Sequence, residues 1–252
     1  MNTAAHPTSP RLLIVVPAHN EAANIQSVLE SLARLPLPHD VIVINDGSTD
    51  ATSDIARRCG ADVLEMPCNV GVGGAMQTGY QYAQEHGYDL AVQFDGDGQH
   101  CADQVPALLQ PVLSGQADMA TGSRALGGPG YHFSLDRFIG SRLLAGLVSR
   151  LIGCKITDPT SGFRAANRDV IRFFSRHYPQ NWLGDTVEAL VEVARYGFVV
   201  REVPTRMQAR RHGRSAVGSF AGFIHTLRII LAVLIDCMEH RFDDDSVRRP
   251  PP

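Results

Sequence analysis

Short apolar runs alternate with helical periodicities from Arg11 to about Gly122. Residues 12–16 (LLIVV), 41–44 (VIVI), 62–65 (DVLE), 90–94 (LAVQF) and 117–121 (ADMAT) read as strands. Several lack the polar alternation of a half-exposed strand, so both of their faces are expected to be covered. Between the first two, Ile25, Val28, Leu29, Leu32 and Leu35 recur at helical spacing, with Asn20 placed to cap the helix and Pro36 placed to stop it. That is a βαβ unit. The second strand runs into Asn45-Asp46-Gly47-Ser48-Thr49-Asp50, a turn whose acceptors suit the free N–H groups of a following short helix. The third leads through Asn69-Val70-Gly71-Val72-Gly73-Gly74 into a helix from about Ala75. Repeated strand-turn-helix units predict an α/β fold, a mostly parallel sheet flanked by helices, with ligand sites at the carboxyl ends of strands.

After Arg124 the pattern changes. Gly127-Gly128-Pro129-Gly130 reads as a flexible loop, and residues 135–152 as a helix mixing Leu, Ile and Val with Arg137, Arg142 and Arg150, a second layer on the first half. Residues 199–203 read as one more strand. The most apolar window, 220–235 (FAGFIHTLRIILAVLI), is shorter than the ~20 residues of a spanning helix and contains His225 and Arg228. As a helix its apolar surface extends around more than one side, so it is expected to meet either the chain's own core or a membrane surface, a membrane-protein partner or a second copy of the chain. The expected division is a disordered N-terminus over 1–10, one domain over 11–216, the apolar helix over 217–240 and a disordered polar tail over 241–252.

Composition narrows the function classes. With 252 residues, 44% hydrophobic and 19% charged, the chain is long and apolar enough to bury a large core. A net charge of −3 provides no general attraction for nucleic acid. Five scattered cysteines without a CxxC pair argue against a disulfide framework and a structural zinc site, and the N-terminus lacks the charged and apolar regions of a secretory signal. A cytoplasmic location is expected.

The strongest local signal is Asp95-Gly96-Asp97-Gly98-Gln99-His100, where a buried strand ends in two carboxylates separated by glycine. Such a pair can hold a hard divalent cation while leaving positions open for phosphate oxygens; the alternative is an acidic turn that caps the next helix. A calcium EF-hand loop is excluded, because the acidic residue it needs eleven positions after Asp95 is Pro106. Gly71 and Gly73 supply a G-x-G, but Met76 holds the sixth position and no Walker lysine follows, so the turn is a weak dinucleotide signature. A lone histidine such as His100 reads as structural.

Val16-Pro17-Ala18-His19-Asn20-Glu21, Asn45-Asp46-Gly47-Ser48, Gly73-Gly74-Ala75, the 95–100 turn, Gly122-Ser123-Arg124, Asp158-Pro159-Thr160-Ser161-Gly162-Phe163-Arg164 and Arg210-Arg211-His212-Gly213-Arg214-Ser215 occur in this order. Together, over about residues 12–215, they resemble a family 2 glycosyltransferase of the GT-A fold (Rossmann-like), in its dolichyl- or polyprenyl-phosphate sugar transferase branch. The resemblance implies an inverting, metal-dependent enzyme that moves a hexose from a UDP- or GDP-sugar to a polyprenyl phosphate on the inner face of the plasma membrane. The alternatives are a saccharide hydroxyl acceptor in cell-surface glycan synthesis, and a binding scaffold without catalysis.

It also implies roles. Pro17, His19, Glu21, Ile44 and Asp46 surround the base and ribose, with Asp46 accepting from a ring N–H or else capping a helix. Gly73, Gly74 and Gly96 complete the donor side. Asp95, Asp97 and Gln99 hold Mg²⁺ or Mn²⁺, which offsets charge on the departing diphosphate. Arg124 and Arg210 meet donor phosphates. Asp158 is tied to the reacting acceptor, with Ser161, Arg164 and Glu188 beside it; it orients groups if the acceptor is a phosphate and acts as base if the acceptor is a hydroxyl. Asp97, Arg124 and Asp158 are the catalytic candidates. The family's lysine after Ser215 is replaced by Ala216, so one phosphate contact is missing or is supplied by Arg211 or Arg214.

Overall fold

A computed structural model describes residues 9–127, 135–179 and 185–208. Along the chain run β1 (Leu12–Ala18), α1 (Ile25–Leu32), β2 (Asp40–Asn45), α2 (Thr52–Arg58), β3 (Asp62–Glu65), α3 (Gly71–Glu85), β4 (Leu90–Gln93), α4 (Val105–Leu113), β5 (Met119–Ser123), α5 (Leu135–Ile152), β6 (Arg164–Asn167), α6 (Arg168–His177), α7 (Asp185–Arg195) and β7 (Val200–Pro204). The seven strands form one sheet in the order β3-β2-β1-β4-β6-β5-β7. β6 lies antiparallel between β4 and β5, and the other pairings are parallel.

All seven residues of β1 are buried, as an unbroken apolar run at the middle of a parallel sheet requires. Successive residues alternate between two cores. Leu13, Val15, Ile44 and Met119 face a layer built from α3, α5, α6 and α7, whereas Ile14, Val16, Val43 and Ala120 face α1, α2 and α4. Ile25, Val28, Leu29 and Leu32 form the buried stripe of α1. Leu32 is fully buried, so truncating it to alanine is expected to destabilise by about 2–5 kcal/mol.

Three local expectations are corrected. Asn20 does not cap α1: it sits in the preceding loop at φ 56°, and the residue at the helix start is Asn24, whose side chain makes no cap bond. α1 stops at Leu32 rather than reaching Leu35. α3 begins at Gly71, four residues before the expected start, because Asp46 supplies acceptors to its first N–H groups. β6 (RAAN) was not visible in the hydrophobic pattern, since a four-residue strand of small residues carries little β signal.

Among the described residues no helix is long and apolar enough to cross a membrane, and Cys59, Cys68, Cys101 and Cys154 are free thiols. Arg210, the 210–216 segment, the 220–235 run and the tail lie outside the described residues, as do residues 1–8.

Candidate functional site

The loops after β1 and β2 are tied to each other. Asn20 Oδ1 accepts from the Thr49 N–H at 2.8 Å, and the Asn20 N–H donates to Ser48 Oγ at 2.9 Å. His19 Nδ1 lies 2.7 Å from the Asp46 carbonyl and its Nε2 lies 3.1 Å from Asn20 Nδ2. The carbonyl can only accept and the amide nitrogen can only donate, so the proton belongs on Nδ1. Glu21 is half-buried, and its Oε2 accepts from Asn24 Nδ2 at 2.7 Å. Burial pushes the nearby Asp50 carboxyl up, but hydrogen bonds from Thr52 and Ala22 outweigh it and hold Asp50 below the ordinary aspartate value.

Asp46 is only 4% exposed, and its two oxygens accept from the N–H groups of Val70 (2.7 Å) and Gly71 (2.9 Å). It caps α3, the alternative to the base contact. Gly47 is at φ +64°, where a Cβ would lie 2.7 Å from the backbone at Cys68 and Asn69, so the two loops meet at a point only glycine fits. Ile44 is fully buried in the core and Pro17 is buried on β1, so both shape the floor beneath the loops. Gly73 and Gly74 lie inside the first turns of α3 and are buried.

The 95–100 turn rests on the end of β1. The Gly96 N–H donates to the Pro17 carbonyl at 3.3 Å, and a Cβ on Gly96 would sit 3.1 Å from that oxygen. Asp95 Oδ1 accepts from Gln93 Nε2 at 3.1 Å. The Asp95 N–H donates to His100 Nδ1 at 3.2 Å, and His100 Nε2 stands 3.5 Å from Asp95 Oδ2. His100 packs its ring against Phe94 and Phe163, with centroids at 5.3 and 5.0 Å. The sequence places His100 as a structural residue, and the structure adds that what it supports is Asp95. Asp97 Oδ1 accepts from the Gln99 N–H at 3.0 Å.

The 158–164 loop arrives from the other side. A Cβ on Gly162 would stand 2.8 Å from Asp95 Oδ2, so the two turns touch. Asp158 is 5% exposed and is gripped by Arg124: Nε donates to Oδ2 at 2.5 Å, Nη2 to Oδ1 at 2.6 Å and the backbone N–H to Oδ2 at 3.0 Å. Thr160 Oγ1 adds a bond to Oδ1 at 3.2 Å. Arg124 therefore stands with the acceptor candidate rather than apart from it. Ser161 is buried, and its Oγ accepts from the Phe163 N–H at 3.4 Å. Arg164 is 1% exposed and donates inward to backbone carbonyls, which fits a support for the loop and not a surface that receives a ligand. Glu188 is half-buried on α7.

Sequence reasoning missed Gln93 and Glu202. Glu202 accepts from the N–H groups of Thr157 and Asp158, each at 2.8 Å. Glu202 sits beside Arg201 in a half-exposed strand, so no local pattern marked it. A cleft of about 590 Å³ between the end of α1 and residues 206–208 contains none of the candidate residues, so the site is defined by its chemistry and not by cavity size.

Asp95, Asp97 and Gln99 offer hard oxygen donors on one turn. Among the described residues no group of three or more His, Cys, Asp or Glu side chains is placed to hold a metal. Two carboxylates and an amide suit Mg²⁺ or Mn²⁺, which keep several positions for water and substrate phosphates. The donor set fits an ion completed by a diphosphate.

A family model described as "Glycosyl transferase family 2" matches residues 13–174. An undecaprenyl-phosphate mannosyltransferase of Micrococcus luteus is 32% identical over 212 residues, covering 81% of this chain and 86% of that protein. A dolichyl-phosphate hexose transferase of Haloferax volcanii is 30% identical over 230 residues, covering 91% and 95%. Among solved structures, glucosyl-3-phosphoglycerate synthase from Mycobacterium tuberculosis, in complex with Mn²⁺, uridine diphosphate and glucosyl-3-phosphoglycerate, superposes with a TM-score of 0.69 at 23% identity. It covers 91% of this chain and 80% of that one. At that identity the likeness shows the fold alone.

Proposed function

The chain belongs to glycosyl transferase family 2, and from that membership we propose that it moves a hexose from a UDP- or GDP-sugar to a polyprenyl phosphate. The fold is GT-A and the chain is a glycosyltransferase. The relatives in Micrococcus luteus and Haloferax volcanii, named for lipid-phosphate acceptors, support the acceptor class.

The observation that carries the choice of acceptor is the state of Asp158. Its two oxygens already receive four hydrogen bonds, three of them from Arg124. A carboxylate has about four acceptor positions, so little is left with which to take a proton from a substrate hydroxyl. A phosphate monoester needs no such base, because its second pKa of about 6 leaves it ionised at neutral pH. Asp158 then holds Arg124 in place: Nε and Nη2 donate to Asp158 and Nη2 also to Thr160, so the guanidinium acts on the acceptor phosphate through its positive charge and not through the edge that grips Asp158.

On the donor side, the first two loops receive the nucleoside, with Asp46 keeping the start of α3 in place. Asp95, Asp97 and Gln99 hold Mg²⁺ or Mn²⁺, which when bound offsets the charge gathering on the nucleoside diphosphate. An acceptor phosphate oxygen forms a bond to the anomeric carbon from the face opposite the diphosphate. The carbon–oxygen bond to the diphosphate breaks, and the configuration inverts. Because the acceptor is a lipid, transfer takes place at a membrane surface, and the 220–235 run with Arg228 is the stretch of sequence suited to dock there.

A thermal-shift panel tests the donor half. A nucleotide sugar at about 100 times its Kd stabilises by about 2.7 kcal/mol, or roughly 5–10 °C for a domain of this size. The shift is expected for either UDP- or GDP-sugars and only with Mg²⁺ or Mn²⁺ present. No shift with any of them would overturn the reading.

A further inference from the structure

Four polar residues face one another across the sheet beneath this site. The register sets Gln93 opposite Arg164, Arg164 opposite Thr121, and Thr121 opposite Glu202, so one row crosses β4, β6, β5 and β7. Residues directly opposite each other share a face. The residues two positions away in these strands, Ala91, Ala166, Met119 and Val200, all belong to the core under α3 and α6, which places the row on that face. Gln93, Thr121 and Arg164 are 1%, 0% and 1% exposed.

Each end of the row reaches the site. Gln93 Nε2 donates to Asp95 Oδ1 at 3.1 Å. At the other end, the Glu202 carboxylate accepts from the Thr157 N–H, the Asp158 N–H and Thr157 Oγ1, all at 2.8 Å. Between them, Arg164 donates to the carbonyls of Ser161 (2.9 Å) and Pro159 (3.4 Å), and to that of Thr186 at the start of α7. The loop that carries Asp158 and Gly162 is thus held from beneath by Glu202 and Arg164, while Gln93 holds Asp95.

Stability does not account for the row. Gln93 Oε1, Thr121 Oγ1 and Arg164 Nη1 are buried without a hydrogen-bond partner among the described residues. Buried polar atoms left unpaired destabilise a fold, and apolar side chains of similar shape would be better tolerated there. The acceptors Arg164 does have are backbone carbonyls, a weak match for a buried cation. Polar character kept at this expense, with both ends bonded to site groups, has the pattern expected where a site's geometry is held by its supporting residues.

We propose that Gln93, Arg164, Thr121 and Glu202 form a positioning layer that fixes Asp95, on the donor side, and Asp158, on the acceptor side, at one separation. Gln93 and Glu202 are its two positioning residues, and neither touches substrate. The inference rests on the assignment of Asp95 to the metal and donor and of Asp158 to the acceptor.

The test uses the purified full chain with two conservative variants, one at each end. Gln93→Met removes the bond to Asp95, and is expected to weaken half-activation by Mn²⁺ about tenfold with the acceptor KM unchanged. Glu202→Gln turns one acceptor oxygen into a donor, and is expected to lower kcat or raise the acceptor KM about tenfold with the Mn²⁺ response unchanged. Glu202→Asp, which keeps the carboxylate, recovers part of the loss. A purely structural row would instead lower the melting midpoint and shift both parameters in parallel, and either that result or two variants with native kinetics would overturn the inference. Asp97→Asn separates it from the function beneath it. If Asp97→Asn retains native activity, the assignment of the metal turn fails; if it is inactive while the two layer variants behave as native, the positioning layer alone fails.

Discussion

Gly162 stands where the 158–164 loop passes against the 95–100 turn, and Gly162→Ala probes that contact. The added Cβ would lie 2.8 Å from Asp95 Oδ2, 3.1 Å from Gln93 Nε2 and 3.2 Å from Asp95 Oδ1. The shortest of these is ~0.6 Å inside ordinary contact. Gly162 is not at positive φ, so alanine meets no backbone strain and the whole effect comes from this collision. Overpacking of this kind costs about 1–3 kcal/mol, a fall in Tm of roughly 2–10 °C, which leaves the protein folded at assay temperature. The Asp95 carboxylate is the group with room to turn away, since its side chain is 32% exposed while Gln93 is buried. If Asp95 holds the proposed Mn²⁺, a displacement of about half an ångström takes the carboxylate out of register, and a loss of roughly 10- to 100-fold in kcat/KM is expected. The assay is Mn²⁺-dependent hexose transfer over a range of Mn²⁺ concentrations, with the melting midpoint recorded alongside. Native kcat/KM and native Mn²⁺ half-activation in a folded Gly162→Ala protein would refute the placement of Asp95 beside this loop.

Three further results follow from the same geometry. Asp46→Ala removes both acceptors at the start of α3 and should lose about 1–2 kcal/mol in urea denaturation; Asp46→Asn should lose less, and an alanine variant as stable as the native chain would remove the cap from the account. Chelation should abolish transfer and Mn²⁺ or Mg²⁺ restore it, with Asp97→Asn lowering kcat/KM at least about 100-fold; transfer that continues in excess chelator contradicts the metal assignment. The Arg11 N–H bond and the Arg168 guanidinium hold the Asp89 carboxyl below the ordinary aspartate value of 3.8. A lowered native pKa contributes stability that is present above the unfolded value and is lost as pH falls through the native one. Asp89→Asn should therefore destabilise by about 1 kcal/mol at pH 7 and by nothing once the pH is below the native pKa, whereas an unchanged difference in acid would contradict the charge-based origin.

The parts of the fold written in long apolar runs were legible in the sequence. β1 and β2 are strands buried on both faces, and the stripe from Ile25 to Leu32 is the core face of α1. The boundary errors arose where a tertiary contact decides: Gly71 starts α3 because Asp46, 25 positions earlier, caps it. β6 escaped notice because its pairing between β4 and β5, not its composition, makes RAAN a strand. At the site, the two-carboxylate turn and the Asp158 loop were visible as motifs. The pairing of Arg124 with Asp158 and the support of Asp95 by His100 and Gly162 were not. Arg124 and Asp158 are 34 positions apart and Gly162 is 67 from Asp95, separations that no local pattern encodes, whereas His100 is five from Asp95 and is turned toward it by packing on Phe94 and Phe163.

The identity of the acceptor is read from the product. The purified chain is incubated with Mn²⁺ and labelled UDP- or GDP-hexoses, in parallel with polyprenyl phosphate in detergent and with soluble oligosaccharides. Label is expected in an organic-extractable polyprenyl phosphohexose of inverted anomeric configuration, formed at a rate that falls at least about 100-fold in Asp97→Asn. Label appearing only in the oligosaccharide would contradict a lipid-phosphate acceptor, and would return Asp158 to the role of base.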